Sequence, residues 1–160
     1  MQEVLTKLET PRFEERSSFF IAGLTERYQM PNVEGIPAQW QRFARYIGNV
    51  PGQIGPTTYG ACFNFDSAGN MDYMCGVEVS GEATLAEPLS RLPVPGQEYA
   101  VFSHRDHISK IGSTWGAIVS QWLPASGRTT ANSPHFEVYG DDFDPQTGTG
   151  VVEIRIPVRH

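Results

Sequence analysis

Apolar residues recur at helical spacing in two segments of the chain. In residues 36–47, one stripe is spaced by four, three and four positions: Ile36, Trp40, Phe43 and Ile47. Residues 108–123 repeat that spacing: Ile111, Trp115, Ile118 and Trp122. Such a pattern is typical of an amphipathic helix that buries one face. We therefore predict a helix over each segment, the first ending near Gly48 and the second at Pro124 and Gly127.

Six further segments show the alternating or continuous apolar pattern of β-strands. They are residues 17–24, 57–65, 71–79, 98–104, 134–140 and 151–158. Residues 66–70 and 141–150 are rich in Gly and Asp and predict the turns of two antiparallel hairpins. Residues 80–97 contain Pro88, Pro93 and Pro95 and are predicted to be irregular, while residues 1–16 are polar and predict no element.

The order of elements repeats along the chain. Residues about 17–80 and 98–158 each predict strand, helix, strand, turn and strand, and a shift of 78 positions places Phe65-Asp66 on Phe143-Asp144. We therefore predict an α+β fold built from a duplicated β-α-β-β module with a pseudo-two-fold axis. Two helices would cover an antiparallel sheet, with a central ligand groove where the halves meet.

Composition narrows the class of protein. The chain has 160 residues, a net charge of −6 and 39% hydrophobic residues, which predicts one globular domain over residues 1–160. An acidic chain without a basic cluster is a poor partner for nucleic acid. The N-terminus is too polar for a signal peptide and no apolar run could span a membrane, so we expect a cytoplasmic protein. Cys62 and Cys75 are expected to be reduced core thiols.

Three stretches resemble the GyrI-like family of small-molecule-binding domains. They are TYGACFNFDSAGNMDYMCGVEV, STWGAIVSQWLPASG and HFEVYGDDFDPQTGTGVVEIRIPV, and the resemblance extends from about residue 17 onward. The family includes effector-binding domains of AraC-type and multidrug-binding transcription regulators, and free-standing proteins linked to gyrase inhibition and toxin resistance. The resemblance implies paired β-α-β-β modules around a groove for amphipathic, often cationic, small molecules.

The resemblance also implies where the ligand binds. The family's buried glutamate matches Glu137, its second-helix aromatic matches Trp115, and the tyrosine of its first hairpin matches Tyr73. Strand alternation places His135 and Tyr139 on the same face as Glu137, so Tyr139 joins the candidates.

Two more aromatic residues are candidates for the same groove. Trp40 occupies the place of Trp115 in the first helix, and Tyr59 falls opposite Glu137 when the two halves are aligned. Ordinary core packing remains an alternative for Trp40 and Trp115, and a structural hydrogen bond for Tyr59.

The chemistry of such a groove favours binding of amphipathic, cationic or planar small molecules. A carboxylate among aromatic rings loses hydration, and a bound cation restores the stability of its charged form. Two alternatives stay open. Glu137 and Tyr73 could act as acid/base and oxyanion partner in a cofactor-free hydrolase of cyclopropane-bearing compounds. The domain could instead bind a protein, as a DNA gyrase inhibitor does.

Several expectations concern what the chain lacks. No helix-turn-helix precedes the domain, so we expect a stand-alone protein, with DNA contact left to a separate regulator. No cofactor motif is present. His104 and His107 flank Asp106 just before the second helix, where surface and helix-capping roles are expected, and we predict no metal site.

Overall fold

The computed structural model describes residues 8–159. In chain order its strands and helices are β1 Arg12–Arg16, β2 Phe19–Gln29, α1 Ile36–Phe43, β3 Gln53–Phe63, β4 Asn70–Val79, β5 Ser90–Val94, β6 Gln97–His104, α2 Ile111–Ala117, α3 Leu123–Ser126, β7 Thr129–Thr130, β8 His135–Asp144 and β9 Thr149–Arg159. The fold is α+β, as predicted.

All the strand pairs are antiparallel. The sheet runs β1-β6-β9-β8-β3-β4-β2-β5, and the short β7 pairs with the end of β9. Strands β3 and β8 join the two helix-bearing parts of the chain at the centre, in a register that runs from Thr58↔Tyr139 to Cys62↔His135. The internal duplication and the groove between the halves stay predictions.

One face of the sheet is buried because side chains from distant strands of the same sheet pack against each other there. The ring of Phe136, at the centre of the sheet, lies 5.7 Å from Phe19, 6.0 Å from Tyr59 and 5.2 Å from Tyr99, measured between ring centroids. Phe19 belongs to β2 and Tyr99 to β6, which are far apart in the strand order. Their shared contact with Phe136 requires the sheet to curl, so its inner face forms an aromatic core without a helix.

The outer face carries the helices. Phe43 of α1 is buried with the outward residues of β4, among them Val77. Ile118 packs in a separate cluster with Ile154 and Ile156 of β9. Each helix therefore covers one part of the sheet, and the central strands β3 and β8 lie between them.

A buried amide fastens α1 to the sheet. The Gln39 Nε2 atom donates to the backbone carbonyls of Leu24 at 2.9 Å and Tyr73 at 2.8 Å. Its Oε1 atom accepts from the Tyr28 hydroxyl at 2.7 Å. Because Trp40 follows Gln39 directly in α1, these bonds also fix the position of the Trp40 backbone.

Three strands lie where the sequence predicted none: β1, β5 and the two-residue β7. Strands β1 and β5 are the two edges of the sheet, which tolerate charged residues and proline because one side of an edge strand needs no partner. Residues 12–16 were not predicted as a strand because most of them are charged. Residues 90–94 were not predicted because they contain Pro93.

The first helix differs from prediction at its end, and the second differs in its internal geometry. The first tightens into a 3₁₀ turn at Ala44–Tyr46, so Ile47 leaves the apolar stripe and is 37% exposed. The second begins as a 3₁₀ turn, widens into a π turn at Ile118–Trp122, and continues past Pro124 to Gly127 at φ 73°. No helix within residues 8–159 is long and apolar enough to cross a membrane.

The two cysteines match the prediction. Cys62 and Cys75 are both buried and neither forms a disulfide. They pack in the core beneath α1.

We predict that Gln39→Met destabilises the fold. Methionine keeps the volume but leaves the carbonyls of Leu24 and Tyr73 without their side-chain donor, which costs about 1–3 kcal/mol. Urea unfolding measures the change, and Gln41→Met, at an exposed position of the same helix, is the matched control. Equal stability of the two variants would contradict the anchoring role.

Candidate functional site

Glu137 lies on the outer face of β8, between the two helices, and is 5% exposed. Its partner across the β3–β8 ladder is Gly60. A Cβ atom at that position would collide with the Tyr73 hydroxyl and lie 2.6 Å from Glu137 Oε1. The absence of a side chain at Gly60 therefore creates the space that the carboxylate occupies.

Three side chains donate hydrogen bonds to this carboxylate. Trp115 Nε1 donates to Oε2 at 2.8 Å, while the hydroxyls of Tyr73 and Tyr139 donate to Oε1 at 2.9 and 2.6 Å. Behind them, Trp40 Nε1 donates to the Tyr73 hydroxyl at 3.1 Å. Each helix thus contributes one indole to a network centred on Glu137.

The side chains that donate hydrogen bonds to the Glu137 carboxylate are all neutral. Burial raises the pKa of Glu137, and the three donors oppose that rise without cancelling it. Burial also raises the pKa of Tyr73 and Tyr139 well above the ordinary value, so both phenols keep the protons they donate. Within residues 8–159, no lysine or arginine forms an ion pair with Glu137.

Aromatic rings extend the network along the strand. The ring of Tyr139 lies 5.2 Å from Trp40 and 5.1 Å from Phe143, both in edge-to-face geometry. At the other end, Trp115 stacks on His135 with 6.4 Å between centroids and an interplanar angle of 22°. The carboxylate therefore lies within a band of rings.

The structure brings together five of the six residues that the sequence singled out. They are Glu137, Trp115, Tyr73, Tyr139 and Trp40.

Tyr59 does not join them, which corrects its expected position. Gly60, not Tyr59, pairs with Glu137; Tyr59 pairs with Val138 and therefore points to the inner face. There its ring contacts Phe136. Neighbouring residues of a strand point to opposite faces, so Tyr59 lies on the face opposite to Glu137.

Sequence reasoning missed Gly60, since a glycine inside a strand gives no indication that neighbouring side chains require the space beside it.

Sequence reasoning also misplaced His104, which is buried rather than at the surface. Its Nδ1 bonds the Thr114 hydroxyl at 2.7 Å and its Nε2 bonds the His107 carbonyl at 3.0 Å. His107 does cap the helical segment, because it accepts a hydrogen bond from the Ser109 backbone N–H.

A pocket of about 350 Å³ opens at one end of the network. His135 lies two positions before Glu137, on the same face of β8, and lines this pocket. Other lining residues are Phe65, Thr130, Asn132, Ser133 and Arg159. The pocket is thus centred beyond His135 and not on the carboxylate. Among residues 8–159 no group of His, Cys, Asp and Glu is arranged to hold a metal ion.

A curled antiparallel sheet with two covering helices is the architecture of a family of small-molecule-binding domains. The sequence model for the GyrI-like small molecule binding domain matches residues 9–159, and the chain belongs to that family.

Individual relatives agree with this assignment. The transcriptional regulator BrlR of Pseudomonas aeruginosa is 30% identical over 149 residues, which are 92% of this chain and 54% of the regulator. The chain thus spans about half the length of that relative.

Solved structures share the fold. SAV2435 bound to tetraphenylphosphonium superposes with a TM-score of 0.75 at 21% identity, covering 93% of each chain. The C-terminal domain of EcmrR superposes with a TM-score of 0.67 at 15% identity, covering 96% of this chain and 99% of that domain.

The raised pKa of Glu137 predicts a pH-dependent stability. Because the folded-state pKa exceeds the unfolded one, the folded protein binds the proton more tightly. The resulting stabilisation is present below about pH 4, the ordinary pKa of glutamate, and is lost as pH rises through the raised pKa.

Glu137→Gln removes this dependence. Relative to wild type, the variant should gain stability as pH increases, which urea unfolding at a series of pH values measures. Asp142→Asn, exposed on the same strand, controls for the lost charge. A constant difference between Glu137→Gln and wild type across that series would exclude a perturbed carboxyl.

Proposed function

We propose that this domain binds amphipathic small molecules that are cationic or planar, as an effector-binding or toxin-sequestering module. The observation that carries the proposal is a buried carboxylate whose hydrogen-bond donors are all neutral. Glu137 would supply the counter-charge, and Trp115, Trp40, Tyr73 and Tyr139 the aromatic contacts.

Neutral donors leave the charge of Glu137 uncompensated. A hydrogen bond from an indole or phenol satisfies a lone pair but adds no positive charge, so the cost of burying the ionised form persists. A lipophilic cation sheds its own hydration at little cost, and its attraction to the carboxylate is strong where water is excluded. Each well-placed ring adds about 0.5–2 kcal/mol of cation–π attraction.

The ligand must take the place of at least one present contact of the carboxylate. Tyr73 is fully buried, whereas Trp115 is only partly buried and stacks on His135 beside the open pocket. We infer that the Trp115 side of the network admits the ligand. The bound tetraphenylphosphonium of SAV2435 supports this ligand class, because that protein shares the fold.

We predict that Glu137→Gln weakens binding of tetraphenylphosphonium by at least about tenfold, the loss expected when a desolvated charge pair is replaced by a neutral contact. Titration calorimetry at neutral pH measures the affinity. The neutral analogue triphenylphosphine oxide should bind wild type and variant alike.

The matched control is again Asp142→Asn, which removes one negative charge from an exposed position of β8. It should bind the cation as wild type does, since exposed charges are screened. Equal losses in both variants would assign the effect to net charge and remove Glu137 from the site.

A hydrolase of reactive small molecules is a second candidate. The raised pKa of Glu137 favours a carboxyl that carries a proton, and the Tyr73 and Tyr139 hydroxyls lie within hydrogen-bond distance of it. Such a group can donate a proton to a leaving atom, and a phenol can stabilise a developing oxyanion. The gyrase or separate-regulator partner stays a prediction from the family resemblance.

Turnover separates the two candidates. If the domain is a hydrolase, a cyclopropane-bearing alkylating agent in large excess should yield more hydrolysed product molecules than protein molecules. Glu137→Gln should abolish that excess, and Tyr73→Phe should reduce the rate. Product limited to the amount of protein, or unchanged rates in Glu137→Gln, would reject the enzymatic candidate.

A further inference from the structure

We propose that the pocket beside His135 is a second binding site, which accepts a planar aromatic anion such as an aromatic carboxylate. It differs from the Glu137 network in position and in charge. The inference rests on the shape and chemistry of the pocket, and it does not depend on the function proposed for Glu137.

The size of the pocket suits a small organic molecule. Its volume of about 350 Å³ falls at the lower end of the range typical for ligand sites. The pocket lies where the start of β8, the loop before it, the end of β9 and the turn after β3 meet. A compound with one or two fused rings would fill it.

An aromatic surface forms one wall of the pocket. The ring of Phe65 lines the pocket and is 52% exposed, so a bound ligand could cover it. It lies 5.1 Å from the ring of His135, which in turn stacks on Trp115. Because the rings of Phe65 and His135 are tilted by 55° to each other, a flat ligand would stack on Phe65 and meet His135 at an angle.

The charged group at the pocket is cationic. Arg159 is exposed and forms no ion pair with any other residue in the described part of the chain. No aspartate or glutamate lines the pocket, although the chain as a whole carries a net charge of −6. Asp66, next to Phe65 in sequence, is held by hydrogen bonds to Arg27 and Asn70 instead.

Neutral polar groups complete the site. Burial lowers the pKa of His135 to about 4, so its imidazole is neutral at physiological pH. Its ring nitrogens form no hydrogen bond with any residue among 8–159, which leaves one N–H donor and one acceptor for a ligand. The side chains of Thr130 and Asn132 also line the pocket. A carboxylate would find Arg159 as its charged partner and these groups as further donors.

Calorimetry with three compounds of one ring system tests the charge preference. Naphthoate, naphthamide and naphthylmethylammonium share the aromatic part and differ in charge. We expect wild type to bind naphthoate about tenfold more tightly than naphthamide, as a hydrogen-bonded charge would give, and the ammonium compound more weakly at this pocket. The ammonium compound can also bind at Glu137, so the comparison of naphthoate with naphthamide decides, and equal affinity for these two would overturn the proposal.

Variants assign the preference to residues. Arg159→Gln should remove the preference for naphthoate over naphthamide, and Arg159→Lys should keep part of it. Phe65→Ala should weaken both compounds equally. Arg45→Gln removes one exposed arginine from the 3₁₀ turn at Ala44–Tyr46 and should change nothing. A naphthoate preference that survives in Arg159→Gln would overturn the site.

The two binding proposals fail separately. Naphthoate binding should be unaffected by Glu137→Gln, and tetraphenylphosphonium binding should be unaffected by Arg159→Gln. If the cation shows no dependence on Glu137 while naphthoate depends on Arg159, the function proposed for Glu137 falls and the anion site stands. Loss of naphthoate binding in Glu137→Gln alone would show one shared site and overturn the second.

Discussion

The dehydration of one carboxylate governs the arrangement of the outer face. Removing Glu137 from water carries a large cost, and the fold offsets it with donors from separate elements: Tyr73 from β4, Tyr139 from β8 and Trp115 from α2. Trp40 of α1 supports Tyr73 in turn. A helix displaced from its place would leave a polar atom unsatisfied, so the network links the position of both helices to the central strands.

The rest of the architecture makes this network possible. Because the sheet curls, aromatic rings around Phe136 fill its inner face and the helices are free to lie outside. Buried polar anchors then set each helix. Gln39 bonds the backbone of β2 and β4, and His104 bonds Thr114 in the middle of α2. These anchors act through directional hydrogen bonds, which fix orientation more tightly than apolar packing does.

The sequence predicted residue positions well where a periodic pattern follows directly from helix or strand geometry. Helical spacing located Trp40 and Trp115, and strand alternation placed Tyr139 with Glu137. Tyr59 was proposed only from an alignment of the two halves, and a shift of one residue in such an alignment moves a strand residue to the other face of the sheet. Gly60 gave no signal at all, since its role is defined only by side chains from β4 and β8.

The convergence of two indoles on one carboxylate network has an optical consequence. Tryptophan emission responds to the polarity and hydrogen bonding around the ring, and the chain holds three tryptophans. Trp122 packs edge-to-face on Phe102 with 5.0 Å between ring centroids, away from the carboxylate. Its fluorescence should therefore stay constant when the carboxylate is occupied. A ligand at the proposed carboxylate site would alter the surroundings of Trp115 and Trp40, so the emission of this pair would report such binding without a label.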